Sequence, residues 1–273
     1  ELYVALLERG RKDKRSGGLN PRTVRKIHLV LHKALVDAER KGIVVRNVAA
    51  LADAPAAGAT KKVGAKAWDA AQLRAFLVAI RTHRLLPAFH LAAHTGMRRG
   101  EVLGLRWGDI DIDGSRLSVR QALVSVGYVA SISDVKTGSS RRTIDLDPGT
   151  VDHLSTWRDV RVHEGGSAAT ADSSLVFTKA NGEPIHPDSF SQTFDRAVAK
   201  LDVPTISLHD LRHTHATLLI KAGVPIKVVS ERLGHASAAF TMTVYQHVLP
   251  GMQAEAAATF AGLLAGPSDK VDD

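Results

Sequence analysis

The 273-residue chain contains no cysteine, which excludes a disulfide scaffold and thiolate chemistry and fits a reducing, cytoplasmic setting. It has no run of 18 or more apolar residues, so no membrane-spanning helix is expected. The opening Glu1-Leu2-Tyr3 carries no charged segment, apolar stretch or cleavage site of the secretory kind. Tyrosine is scarce, with three in all. Acidic residues are scarce in one region only: residues 1–67 hold 15 Lys/Arg against 6 Asp/Glu, a net +9, whereas residues 68–273 hold 21 against 22, a net −1. The whole positive excess of this protein therefore sits in its first quarter. Either that quarter has a solvated basic surface, or it meets a polyanion whose counterions it releases. Otherwise 44% apolar and 23% charged residues are the proportions of an ordinary globular protein.

Periodicity divides the chain. Leu2–Glu8 reads as the end of a helix. Asn20-Pro21 offers a capping side chain followed by proline in the first turn. Val24, Ile27, Leu31, Leu35 and Ala38 then recur at helical spacing, opposite Arg22, Arg25, Lys26 and Lys33. Two helices bury little apolar surface, so this module is expected to be incomplete. Residues 52–66 (ADAPAAGATKKVGAK) lack periodicity and read as a linker, either a plain tether or a segment tracking a polyanion. Asp69 can cap a helix holding Leu73, Phe76, Leu77 and Ile80. Further helices are expected over 87–94, 99–105, 148–162, 187–201, 207–222 and 225–233, with Pro225 in a first-turn position. Segments 116–125, 128–133 and 142–146 alternate like three antiparallel strands of one small sheet. No internal repeat is visible, and the tail after Gly266 reads as disordered.

Four motifs carry chemistry. Thr95-Gly96-Met97-Arg98-Arg99-Gly100-Glu101 places Arg98 at a helix start. His209-Asp210-Leu211-Arg212 sets an imidazole and a guanidinium three residues apart, on one helical face. Leu233-Gly234-His235 adds a second imidazole after a turn, and Tyr245 follows. Lys136 lies in a segment, VKTGSSRRTI, that looks like a hairpin tip. Paired guanidinium groups suit an anionic phosphodiester, because they donate parallel hydrogen bonds that tighten as charge develops. An imidazole titrating near neutrality can accept a proton or donate a hydrogen bond. A phenol, with a pKa of about 10, ionises far more readily than a sugar hydroxyl and can form a covalent ester. Tyr3 and Tyr128 have no comparable setting. Arg99 should face away from Arg98, Glu101 should orient the site or the helix rather than transfer protons, and His213 and His215 read as structural. His209 to His213 imitates a zinc-binding HExxH, but Asp210 replaces the glutamate and no third ligand stands out. No metal and no cofactor are expected.

These motifs, and above all the run HDLRHTHATLLIKAGVPIKVVSERLGH from His209 to His235, resemble the tyrosine recombinase (phage integrase) family from about Leu19 to about Leu264. Phe240 and Val244 depart from it, standing where polar residues are frequent. The resemblance implies a mainly α fold with a small antiparallel β-sheet (α+β). Residues 1–51 would be part of a helical, SAM-like core-binding domain, truncated at its N-terminus. A linker over 52–67, a catalytic domain over 68–265 and a tail over 266–273 would follow. It implies that Arg98 and Arg212 grip the phosphate and that His209 takes the phenol proton or bonds the phosphate. His235 would donate to a non-bridging oxygen, Lys136 would protonate the departing 5′-oxygen, and Tyr245 would attack. Arg22, Thr23, Arg25, Lys26, Lys61, Lys62 and Arg141 are the candidate DNA contacts. The implied partners are duplex DNA, a homotetramer formed on it, and a directionality factor or DNA-bending protein. No membrane is implied, and the setting is a bacterial cytoplasm near the nucleoid. Residues 252–264 (MQAEAAATFAGLL) would dock on a neighbouring protomer. A DNA-binding regulator and a type IB topoisomerase are the alternatives. A pure binder has no use for the phenol or the lysine, and the basic front module favours the recombinase.

Overall fold

A capping side chain followed by proline starts three of the longer helices. Asn20 accepts a hydrogen bond from the Arg22 amide before Pro21, Asp147 from Thr150 before Pro148, and His186 from Asp188 before Pro187. Asp69 makes a full capping box with Gln72. The structure, a computed structural model, describes residues 1–11, 17–56, 66–134 and 141–235, with 237, 239, 241, 242, 257, 258 and 260–262 beyond them. It separates into two units, residues 1–63 and 64–273.

In the first unit, helix α1 (Leu2–Arg9) meets α2 (Pro21–Arg40) through a hydrogen bond of 2.9 Å between Tyr3 Oη and His28 Nδ1. A single 3-10 turn, Val48–Leu51, follows, capped by Asn47, whose side-chain amide also donates to the His32 carbonyl. The apolar stripe expected along α2 is only partly covered. Val24 is fully buried, but Leu31 is exposed, as are its neighbours Leu29 and Val30.

The second unit is built on rings. Trp68, Phe76, Phe89, Phe190 and Phe194 are all fully buried, and Phe89 stacks on Phe190 at 4.5 Å between centroids. Each such side chain contributes roughly 1.5–3 kcal/mol by leaving water. They join helices α3 (Ala70–Ala79), α4 (Leu86–Thr95) and, after the sheets, α7 (Pro187–Val198). Between these come α5 (Arg99–Gly104), β1 (Ile110–Asp111), β2 (Arg116–Val119), β3 (Gln121–Val126), β4 (Val129–Asp134), β5 (Arg142–Asp145) and α6 (Pro148–Gly165); α8 (Asp210–Lys221) and α9 (Ile226–Leu233) follow α7.

The strands differ from the single sheet expected. Among the described residues they form a three-stranded antiparallel sheet, β1-β2-β5, and a two-stranded one, β3-β4. Segment 116–125 keeps one alternation throughout, with Leu117, Val119, Gln121 and Leu123 all buried. It changes partner at Arg120: Val119 pairs with Arg142, and Gln121 pairs with Asp134. Two helix starts also lie later than expected. Ser207 spends its amide and hydroxyl on Asp210, so α8 begins at Asp210. Pro225 keeps an extended ψ of 134° as the cap of α9 rather than entering its first turn.

Helix α5 lies directly on the backbone of β3 because its facing positions are glycines. A Cβ on Gly100 would stand 2.7 Å from the Leu123 carbonyl oxygen, and one on Gly104 2.7 Å from the Leu123 amide. We expect Gly104→Ala to cost about 1–3 kcal/mol through forced separation of helix and strand, measured as a lower urea midpoint at unchanged m-value.

Candidate active site

The site begins with a buried carboxylate. Glu101, 2% exposed, accepts from the Arg98 amide at 2.9 Å and from Arg98 Nη1 at 2.7 Å. Arg142 Nη1 and Nη2 reach the same two oxygens at 3.2 and 2.8 Å. Burial pushes the Glu101 pKa up, but the Arg142 hydrogen bond and charge, with those of Arg98, outweigh it and hold the carboxyl below its ordinary range. Arg142 also donates from Nε to the Arg232 carbonyl at 2.8 Å. Arg98 keeps part of its guanidinium open and donates from Nη2 to the Gly234 carbonyl at 3.2 Å. The first and third motifs, 136 residues apart, thus meet through one hydrogen bond.

Arg212 is 3% exposed and donates from Nη1 to the Gly96 carbonyl at 2.7 Å, two residues before Arg98. Gly96 ends α4 at φ +65°, and Gly234 ends α9 at φ +65°. Both helices therefore stop with a carbonyl turned toward an arginine. His209, the cap residue of α8, is held below its ordinary pKa by burial first and then by the Arg212 charge, with Arg98 adding to it. His235 is lowered to about 4, again by burial first, then by Arg212 and Arg98. Two neutral imidazoles and two guanidinium groups accordingly share one electrostatic neighbourhood. His235 Nδ1 lies 2.7 Å from the hydroxyl of Thr241, which is wholly buried.

Behind this group Arg232 ties three elements together. It donates from Nε to His215 Nε2 at 3.2 Å, from Nη1 to the Asp145 carbonyl and from Nη2 to the His94 carbonyl. Because Nε2 of His215 accepts, its Nδ1 carries the proton and donates to the Ala93 carbonyl at 3.0 Å. Burial, followed by the Arg232 charge, lowers His215 to about 3.

The structure thus gathers Arg98, His209, Arg212 and His235. Lys136, Tyr245, Lys61 and Lys62 lie outside the described residues. Arg22, Thr23 and Lys26 are exposed on α2, whereas Arg25 donates to the Pro55 carbonyl at 2.9 Å; Arg141 is exposed just before β5. Arg99 turns away onto Asp188, Ser191 and the Pro187 carbonyl. Three participants were not singled out from the sequence: Arg142, Arg232 and Thr241. Strand alternation offered a signal for the first, since Arg142 shares a face with buried Ile144. For Arg232, helical spacing from buried Val229 offered one. Nothing comparable marked Thr241.

Residues 66–251 match the phage integrase family. The chain is 33% identical over 199 residues to a XerC-like tyrosine recombinase of Caldanaerobacter subterraneus, covering 68% of this chain and 51% of that protein. It is 30% identical over 213 residues to the ICEBs1 integrase of Bacillus subtilis, covering 76% and 54%. The chain therefore spans about half the length of these relatives. Its fold is shared with the Tn1549 transposon integrase, solved in complex with transposon right end DNA, with a TM-score of 0.71 over 91% of this chain and 81% of that one at 23% identity.

Two stability measurements test this geometry. Arg142→Met leaves the buried Glu101 carboxylate paired with Arg98 but without its two Arg142 hydrogen bonds, and should cost up to about 3–5 kcal/mol. The stabilisation from Glu101 is present above its unfolded pKa near 4.5 and is lost as pH falls through the lower folded value. The variant should therefore lose that contribution at a higher pH, as acid titration of unfolding will show. His215 acts over a different window: between pH 6.5 and about 3 the unfolded chain holds a proton that the folded one lacks. Stability should fall through that window as pH is lowered, and His215→Gln should make the slope shallower by up to about 1.4 kcal/mol per pH unit.

Proposed function

The chain belongs to the phage integrase family, and from that membership we propose that it is a site-specific tyrosine recombinase that cleaves and rejoins duplex DNA to integrate or excise a mobile element. The observation that carries this reading is the convergence of Arg98, Arg212, His209 and His235, brought together by the Arg98–Gly234 and Arg212–Gly96 hydrogen bonds. Such a cluster suits a phosphodiester, whose two non-bridging oxygens need permanent cations and neutral donors arranged before the reaction starts.

In the proposed reaction the Tyr245 phenol oxygen attacks the phosphorus and its proton passes to a base; His209 takes that role or hydrogen-bonds the phosphate. The bond to the 5′-oxygen breaks, and that oxygen takes a proton from Lys136. The product is a 3′-phosphotyrosyl ester and a free 5′-hydroxyl. Attack by a 5′-hydroxyl from the partner duplex reverses the step, so the phosphodiester bond energy is retained and no nucleotide cofactor is consumed. Exchange of one pair of strands gives a Holliday junction, and exchange of the second pair resolves it. Arg98 and Arg212 hold the charge that develops on phosphate. Thr241 donating to His235 Nδ1 would leave Nε2–H as a further donor.

The first unit, with Arg22, Thr23 and Lys26 exposed along α2, serves in this reading as the gripping module, and Lys61, Lys62 and Arg141 add phosphate contacts. Four protomers synapse two sites in the cytoplasm at the nucleoid, with a directionality factor or DNA-bending protein assisting. No helix among the described residues is long and apolar enough to cross a membrane.

A nicked suicide duplex is the direct test. The wild-type chain should form a DNA adduct that survives denaturation, and Tyr245→Phe should bind the duplex without forming it. An adduct from the Phe variant would displace Tyr245 as nucleophile. Arg212→Ala should slow cleavage by a factor on the order of 100–1000.

A further inference from the structure

Away from the candidate active site, α4 and the start of α6 bring three imidazoles together. His90 and His94, one helical turn apart, stack at 3.9 Å between ring centroids with planes 13° apart, and the His153 ring lies 4.2 Å from that of His90. Asp147, which caps α6, faces them. Its Oδ2 is 3.2 Å from His94 Nδ1 and accepts from the Thr150 hydroxyl at 2.6 Å, and that hydroxyl oxygen lies 3.1 Å from His90 Nε2. One donor atom from each of His90, His94 and Asp147 lies within 4.8 Å of the other two.

We propose that His90, His94 and Asp147 form a binding site for a divalent late first-row transition ion of the zinc type, with His153 or water completing the coordination. The donor chemistry selects this class. Two imidazoles and a carboxylate suit zinc, cobalt or nickel, whereas calcium and magnesium take oxygen ligands. Histidines at i and i+4 put two imidazoles on one helical face, as helix-borne zinc pairs do.

The fit requires a defined movement. Bonds of about 2.1 Å place neighbouring tetrahedral donors roughly 3.4 Å apart, so the three atoms must draw together. One ion cannot lie in the planes of two parallel rings. The more exposed His94 must therefore turn out of the stack while buried His90 stays in place. The bound ion would pin the last turn of α4, whose His94 carbonyl receives Arg232; the Gly96 carbonyl that receives Arg212 follows directly. The proposal does not depend on the recombinase reading, and its test uses no DNA.

The experiment titrates the chelator-treated full chain with Co²⁺ and then displaces it with Zn²⁺. One equivalent of Co²⁺ should give a visible d–d spectrum that Zn²⁺ removes, and Zn²⁺ should raise the thermal midpoint. His94→Gln, which leaves the Asp147–Thr150 cap intact, should weaken binding by more than the roughly 10–100-fold that loss of an outer-shell partner costs, and should abolish the Zn²⁺-dependent midpoint shift. His163→Gln, on the exposed end of α6, should behave as wild type. No spectrum at stoichiometric Co²⁺ would overturn the proposal. So would an affinity unchanged by His94→Gln, which would place the ion elsewhere among the 13 histidines. Should that variant fail to fold, imidazole NMR of the wild-type chain decides: Zn²⁺ must shift the His90 and His94 ring resonances, and unmoved rings refute the site.

Discussion

A carboxylate as deeply buried as Glu101 would cost several kcal/mol if it stood alone. Here two guanidinium groups share it, and each is committed elsewhere as well: Arg98 to the Gly234 carbonyl and Arg142 to that of Arg232. The arrangement makes α5, β5 and the end of α9 mutually dependent. It also gives Arg98 a fixed direction while leaving part of its guanidinium open. A long, flexible side chain is thereby ordered during folding rather than at the moment a ligand arrives, which lowers the entropic cost of binding an anion.

Arg212 is oriented by a different device. It is almost wholly enclosed and directed by a backbone carbonyl that a left-handed glycine presents. A Cβ at Gly96 would stand 2.6 Å from Leu233 Cδ2 and 2.9 Å from His215 Cδ2. The glycine thus serves both the helix end and the close approach of α8 and α9. The two arginines depend on separate supports, one ionic and one steric.

The fold was legible wherever a local rule acts alone. A cap followed by proline marked α2 and Asp69 marked α3, while α6 and α7 begin at Pro148 and Pro187, where helices were expected. Legibility failed where a tertiary partner decides. Nothing in 116–125 announces that the strand changes neighbour at Arg120, because side-chain alternation continues across the change. Among the candidate site residues, Arg98, His209, Arg212 and His235 stood out by motif, and the structure brings them together. Arg142 and Arg232 did not: periodicity puts each in line with a buried residue, but the reason for an arginine to point inward lies in acceptors far away in sequence. The grouping of Asp147 with His90 and His94 was equally hidden, as it joins residues more than fifty positions apart.

The change of partner at Arg120 has a consequence for how this protein tolerates variation. Asp134 and Arg142 are each anchored to residues of one continuous line, Gln121 and Val119. The paired residues on either side of the segment that holds Lys136 are therefore fixed to neighbouring positions of one strand line. Closure entropy grows only logarithmically with the length of chain joining two fixed residues. A change in the number of residues between Asp134 and Arg142 therefore alters neither register, and length can vary at that point at little cost to the scaffold.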